Sequence, residues 1–132
     1  MMKFDLSTQG RDSFSDITPQ VRQAIKKSGV ADGICLVYCP HTTAGITINE
    51  NADPAVPRDI IMVLDRAIPW SDGYQHGEGN TAAHVKSSLM GASCKLIIED
   101  ASPILGTWQS VFFCDFDGPR RRRYFVQVVQ AC

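Results

Sequence analysis

The sequence carries almost no net charge. Thirteen Lys and Arg stand against 14 Asp and Glu in 132 residues, a formal −1, so the broad electrostatic footprint of a nucleic-acid or anionic-membrane binder is missing. Any anion must be held by a local patch. Long apolar runs are missing too: none approaches the roughly 18 residues of a membrane helix, and the longest are strand-sized. A soluble protein with no nucleic-acid and no membrane partner is expected. The chain starts without the charged and apolar regions of a secretion leader, and its five cysteines, Cys35, Cys39, Cys94, Cys114 and Cys132, are an odd number. Both features favour a reducing, cytoplasmic setting over a disulfide framework. Internal repeats are absent, and the one biased segment is the basic run Arg120 to Arg123.

What is present is ordinary for a globular domain, 44% hydrophobic and 20% charged, and the length is that of a single domain spanning 1–132. A chain of this size buries around two-thirds of its unfolded surface. It needs no metal staple, so a metal would be functional. Met2 to Ser7 alternates as a first strand, and Thr8 to Asp16 reads as a polar connection. Thr18-Pro19 starts a helix that carries Val21 and Ile25 on one face and stops at Gly29, giving Pro19 to Ser28. Gly33 to Cys39 is continuously apolar, as in a strand buried on both faces. Cys35, Val37 and Cys39 share one face there, with His41 just past the strand's end.

Ala44 to Ile48 forms the next strand, and Val56, Ile60, Leu64 and Ala67 mark a second helix between Pro57 and Pro69. Ser71 to Asn80 is a glycine-rich loop able to approach a ligand, and Asn80 or Thr81 caps a third helix ending near Gly91. Lys95 to Glu99, Thr107 to Phe116 and Arg122 to Val129 read as strands, the last two as a hairpin around Asp117-Gly118-Pro119. Trp108 is placed in the core by default, with Gln109 beside it as a candidate contact for a heterocycle.

The chemistry-bearing residues are few. His41, His76 and His84 are the only histidines, and three imidazoles suffice for an open zinc-type site with a water position. Their spacing matches no short zinc signature, so three unrelated loop histidines is the competing reading. Glu78, between Gly77 and Gly79, is placed to act as a general acid or base, or else is a solvated loop glutamate. Glu50, between Asn49 and Asn51, either orients a histidine N–H or helps cap the second helix. In the basic run, alternation sends Arg121 and Arg123 to one face and Arg120 and Arg122 to the other. One pair is a candidate phosphate clamp, and a solvated strand start is the alternative. Lys86 and Ser88 add a cation and a hydroxyl on the third helix.

The segments DITPQVRQAIKKSGVADG, PHTTAGITINENADPAVPRDI, HGEGNTAAHVKSSLMG and LGTWQSVFFCDFDGPRRRR together resemble the YjbQ-like family over essentially the whole chain. The resemblance implies an α+β domain with a mixed sheet and about three helices, a homotrimer, and a secondary thiamine-phosphate synthase activity. That reaction joins hydroxymethylpyrimidine diphosphate to thiazole phosphate and releases diphosphate. It also implies a pocket in which His41, His76 and His84 match the family's histidines and hold a divalent metal, with Glu50, Glu78 and Asn49 nearby. Two positions depart from the family pattern: Ala101 follows Asp100 where glycine is expected, and Gln75 precedes His76 where arginine is expected. Three imidazoles favour Zn²⁺, whereas diphosphate release is usually assisted by oxygen-bound Mg²⁺. Two rival readings therefore stand beside the synthase. One is a metal-dependent hydrolase of a small phosphorylated or amide metabolite, with Glu78 moving the proton. The other is a non-catalytic metabolite- or metal-binding module.

Overall fold

A computed structural model describes residues 1–132. Eight strands and three helices follow one another as β1 (Met2–Ser7), β2 (Ser13–Asp16), α1 (Thr18–Ser28), β3 (Gly33–Tyr38), β4 (Ala44–Glu50), α2 (Ala55–Ala67), α3 (Thr81–Met90), β5 (Ser93–Glu99), β6 (Ser102–Pro103), β7 (Gln109–Asp115) and β8 (Arg121–Gln130). The α+β class and three helices are as expected. The strands form two sheets in place of one mixed sheet, a five-stranded β1-β8-β3-β5-β6 and a three-stranded β2-β7-β4, and every pairing is antiparallel.

The main core lies between the sheets. Cys35 and Val37 of β3, Leu96 and Ile98 of β5, and Tyr124 and Val126 of β8 meet Ile46 of β4 and Val111 and Phe113 of β7. α1 seals one side with Val21, Ala24 and Ile25. Its first turn is held by Asp16, whose Oδ1 accepts from Thr18 N–H at 2.9 Å. Thr18 Oγ1 accepts from Val111 N–H at 2.8 Å, so Thr18 ties the helix to β7 and does not cap it. Gly29 closes the helix at φ 72°, a left-handed turn that glycine adopts without strain. On the far face of β7, Phe112, Cys114 and nearby Phe116 pack against Ala83 of α3.

The pairing of β7 with β8 does not occur. β7 lies between β2 and β4, while β8 lies between β1 and β3, so Phe116 to Arg120 is a crossing between sheets. The short polar β2 supplies the partner that β7 would otherwise have found in β8. β3 to β4 is a second crossing of the same kind. β3 is also not buried on both faces: Ile34 and Tyr38 are exposed, along with Ile97 and Val129 from its neighbours. Trp108 is 65% exposed at the start of β7 and not in the core.

Candidate functional site: a polar cleft where the chain changes sheets

The two crossings meet at one end of the sandwich and enclose a cleft of about 370 Å³. The β3–β4 crossing contributes His41, Thr42 and Thr43, and the β7–β8 crossing contributes Asp117 and Arg120. Arg122 enters from the start of β8. The glycine-rich loop before α3 brings His76, Glu78 and Asn80, and His84 follows on the first turn of the helix. Apart from Pro40, every residue that lines the cleft is polar or charged. Residues far apart in sequence are thus brought together by topology, and the three histidines share a single site.

His76 and His84 stand edge to face with ring centroids 5.2 Å apart. His41 is held differently: the backbone N–H of Arg123 donates to its Nε2 at 3.0 Å. Burial first, then the nearby Arg122 guanidinium, lowers the His41 pKa below the ordinary histidine value. No set of three His, Cys, Asp or Glu side chains reaches metal-binding geometry within the chain. Since the His41 Nε2 lone pair is already engaged, a three-histidine zinc centre is not preassembled in the chain.

Beneath the cleft lies a buried ion pair. Arg122 donates through Nε and Nη2 to both Asp115 oxygens, at 3.0 and 2.7 Å, and Nη2 also donates to Thr43 Oγ1 at 2.7 Å. The Thr8 hydroxyl donates to Asp115 Oδ2 at 2.6 Å. Burial pushes the Asp115 carboxyl up, but the bonds from Arg122, Thr8 and the Asp117 N–H outweigh it and hold it below the usual range. Gly118 completes this packing. A side chain there would come within 2.5 Å of Gly10 O and 2.7 Å of Thr8 Oγ1, which leaves only glycine room to fit. At the rim, Arg120 donates to the Asp117 carbonyl at 2.9 Å and to its Oδ2 at 3.1 Å. Asn80 Nδ2 donates to the same Oδ2 at 2.8 Å, and its Oδ1 is buried without a partner.

Several expected site residues lie elsewhere. The alternation of the arginines holds, but the pair at the cleft is Arg120 and Arg122. Arg121 pairs on the surface with Asp5 at 3.3 Å, and Arg123 reaches the site only through its backbone N–H. Lys86 is fully buried on another side of α3, where it donates to Asp12 Oδ2 at 3.1 Å and to Asp65 Oδ1. It is a structural cation. Ser88 is exposed outside the cleft lining. Asn49 accepts from the Glu50 N–H at 2.7 Å, and both sit at the far end of β4. The strand's six steps carry Glu50 about 20 Å from the His41 end. The sequence reading missed Asn80 and Asp117 as cleft residues and left Arg122 in one of two alternative arginine pairs. The only signal for Asn80 and Asp117 was proximity, to His84 and to the arginine run respectively.

Fold and site define a single-domain α+β protein of two antiparallel sheets whose crossings frame a histidine- and arginine-lined polar cleft. The family model for UPF0047 protein YjbQ-like matches residues 2–131, and the chain belongs to that family. It is 53% identical to a UPF0047 protein of Methanocaldococcus jannaschii, over 98% of this chain and 94% of that one. It is 50% identical to the UPF0047 protein YugU of Bacillus subtilis, over 94% and 95%. A crystal structure from Clostridium acetobutylicum, described as an uncharacterized conserved protein of the yjbq/upf0047 family, superposes with a TM-score of 0.97 at 53% identity, covering 98% of this chain and 100% of that one. A YbjQ-like protein of unknown function from Sulfolobus solfataricus superposes at 0.95 with 31% identity, covering 98% and 96%. None of these names states a reaction.

Proposed function

We propose that the cleft is the active site of an enzyme acting on a phosphorylated small molecule, in the manner of thiamine-phosphate synthesis. The observation that carries this reading is the meeting of His76, His84, Glu78, Arg120 and Arg122 in one small cleft. In the proposed reaction the thiazole nitrogen attacks the pyrimidine methylene carbon. A C–N bond forms, the C–O bond to diphosphate breaks, and the electron pair leaves with diphosphate. Arg120, paired with Asp117 at the rim but half exposed, offers its free N–H groups to that leaving group. The His76–His84 pair can give a proton to the departing diphosphate oxygen, with Glu78 beside it to return one to the imidazoles. Arg122, matched by Asp115, positions the cleft floor more than it supplies net charge.

One observation favours a second reading. The lining is polar but for Pro40 and offers a pyrimidine ring only imidazole faces to stack on, with no Phe, Tyr or Trp, so hydrolysis of a small phosphorylated or amide metabolite is the alternative. A neighbouring subunit of the proposed homotrimer would have to complete the site for the synthase. The cysteines are all unpaired and burial raises the thiol pKa of Cys35 and of Cys39 to about 11, which suits a reducing cytoplasm and no thiolate chemistry.

The test is turnover by the full-length protein with both synthase substrates, Mg²⁺ and Zn²⁺ each supplied because the chain preassembles no three-histidine centre. Thiamine phosphate formed above a His84→Ala control, and reduced at least about tenfold in Glu78→Gln, is expected. Phosphoester or amide turnover dependent on Glu78 with no thiamine phosphate supports the hydrolase. Ligand binding with no turnover of any substrate contradicts both and leaves a binding module.

A further inference from the structure

His41 differs from the other two histidines in having one ring nitrogen committed. The Arg123 N–H donates to Nε2 at 3.0 Å, and a nitrogen that accepts such a bond has no proton of its own. The ring proton of the uncharged imidazole must then sit on Nδ1. No group of the chain bonds Nδ1, and Nδ1 is not one of the enclosed atoms lacking a partner, while the residue lines the cleft. Protonating the ring would set an Nε2–H against the Arg123 N–H, donor against donor. Around the ring, burial and the Arg122 guanidinium disfavour a cation and outweigh the Arg123 backbone and Asp115, which favour one, Asp115 being already occupied by Arg122; the Arg123 guanidinium adds to the disfavour. Metal binding through Nε2 would likewise have to break the backbone bond.

Resting on the reading of the cleft as a phosphate site, we infer that His41 presents its Nδ1–H as a fixed hydrogen-bond donor to a negatively charged substrate oxygen, and acts neither as a metal ligand nor as a proton acceptor. The strand-end position explains the device. β8 runs past the β3–β4 crossing, and its backbone sets the tautomer with no further side chain needed. His76 and His84, whose nitrogens the chain leaves without hydrogen bonds to other groups, keep the acid–base role.

Long-range ¹H–¹⁵N correlation of the labelled full-length protein at pH 7.5 reads the tautomer directly, with the His41 signals identified by their loss in His41→Ala. The Nδ1–H form is expected, unchanged when Zn²⁺ is added. An Nε2–H form, an imidazolium, or loss of the Nδ1–H pattern on zinc addition would overturn the inference. Calorimetric titration with inorganic diphosphate gives the second arm. His41→Ala is expected to weaken binding about tenfold or more, while His41→Asn, whose amide N–H can stand where Nδ1–H stood, stays within about threefold of the native protein. Equal affinity in all three would overturn the donor role alone. No diphosphate binding by the native protein would overturn the cleft reading and the donor role with it, whichever tautomer is found.

Discussion

Lys86 shows how the setting of a single side chain decides its role. A lysine with no exposed surface is tolerated only with partners, and Asp12 and Asp65 provide them. Burial raises the Asp12 carboxyl, with Lys86 opposing that rise, so removal of the cation would leave two carboxylates facing each other. Lys86→Met is expected to cost about 2–4 kcal/mol, less than a wholly buried pair because Asp65 remains partly solvated, while diphosphate affinity stays within about twofold. Urea unfolding and calorimetry check the two halves. A weakened ligand affinity at unchanged stability would return Lys86 to the site. The convergence of His41, His76 and His84 was not legible in their spacing, which left three unrelated histidines as an equal alternative, and was implied only by the family resemblance. The choice between the two arginine pairs was not legible either, since alternation gives the faces but not which one meets the cleft.

At the scale of elements, helices and strand positions were readable from periodicity and caps, but partners were not. β7 and β8 look like a hairpin because a turn sequence joins them, yet the Arg122–Asp115 pair binds the two ends of a crossing between sheets. A turn motif marks a change of direction and not the sheet that follows it. β2 escaped notice because SFSD, four residues long, is too short and polar to stand out. The turn after β5 carries a testable strain. Asp100 and Ala101 adopt φ of 50° and 61°, in the left-handed region where a Cβ is costly. Ala101→Gly is expected to stabilise the protein by about 0.5–1 kcal/mol, the relief of that strain less the entropy glycine adds to the unfolded chain. Chemical denaturation checks it, and a destabilised variant would contradict the strain.

At the scale of the molecule, two apolar surfaces have no cover within the chain. α2 buries none of its 13 residues, although Val56, Ile60 and Val63 line one groove along it. The outer face of the five-stranded sheet presents Ile34, 54% exposed, and Ile97, 62% exposed. Exposed apolar faces of this kind favour association, and two different faces suit the closed ring of the proposed homotrimer. Analytical ultracentrifugation is expected to give a trimer that dissociates in an Ile34→Asp, Ile97→Asp double variant. A monomeric native protein would contradict the proposed assembly.

No helix is long and apolar enough to cross a membrane. The central claim is that ligand chemistry is concentrated where the chain changes sheets. Hydrogen exchange of the native assembly with and without saturating inorganic diphosphate tests it most directly. Slowed exchange confined to residues 39–43, 76–84 and 115–123 is the predicted result. Unchanged exchange there, with protection instead along α2 or the outer sheet face, would contradict it.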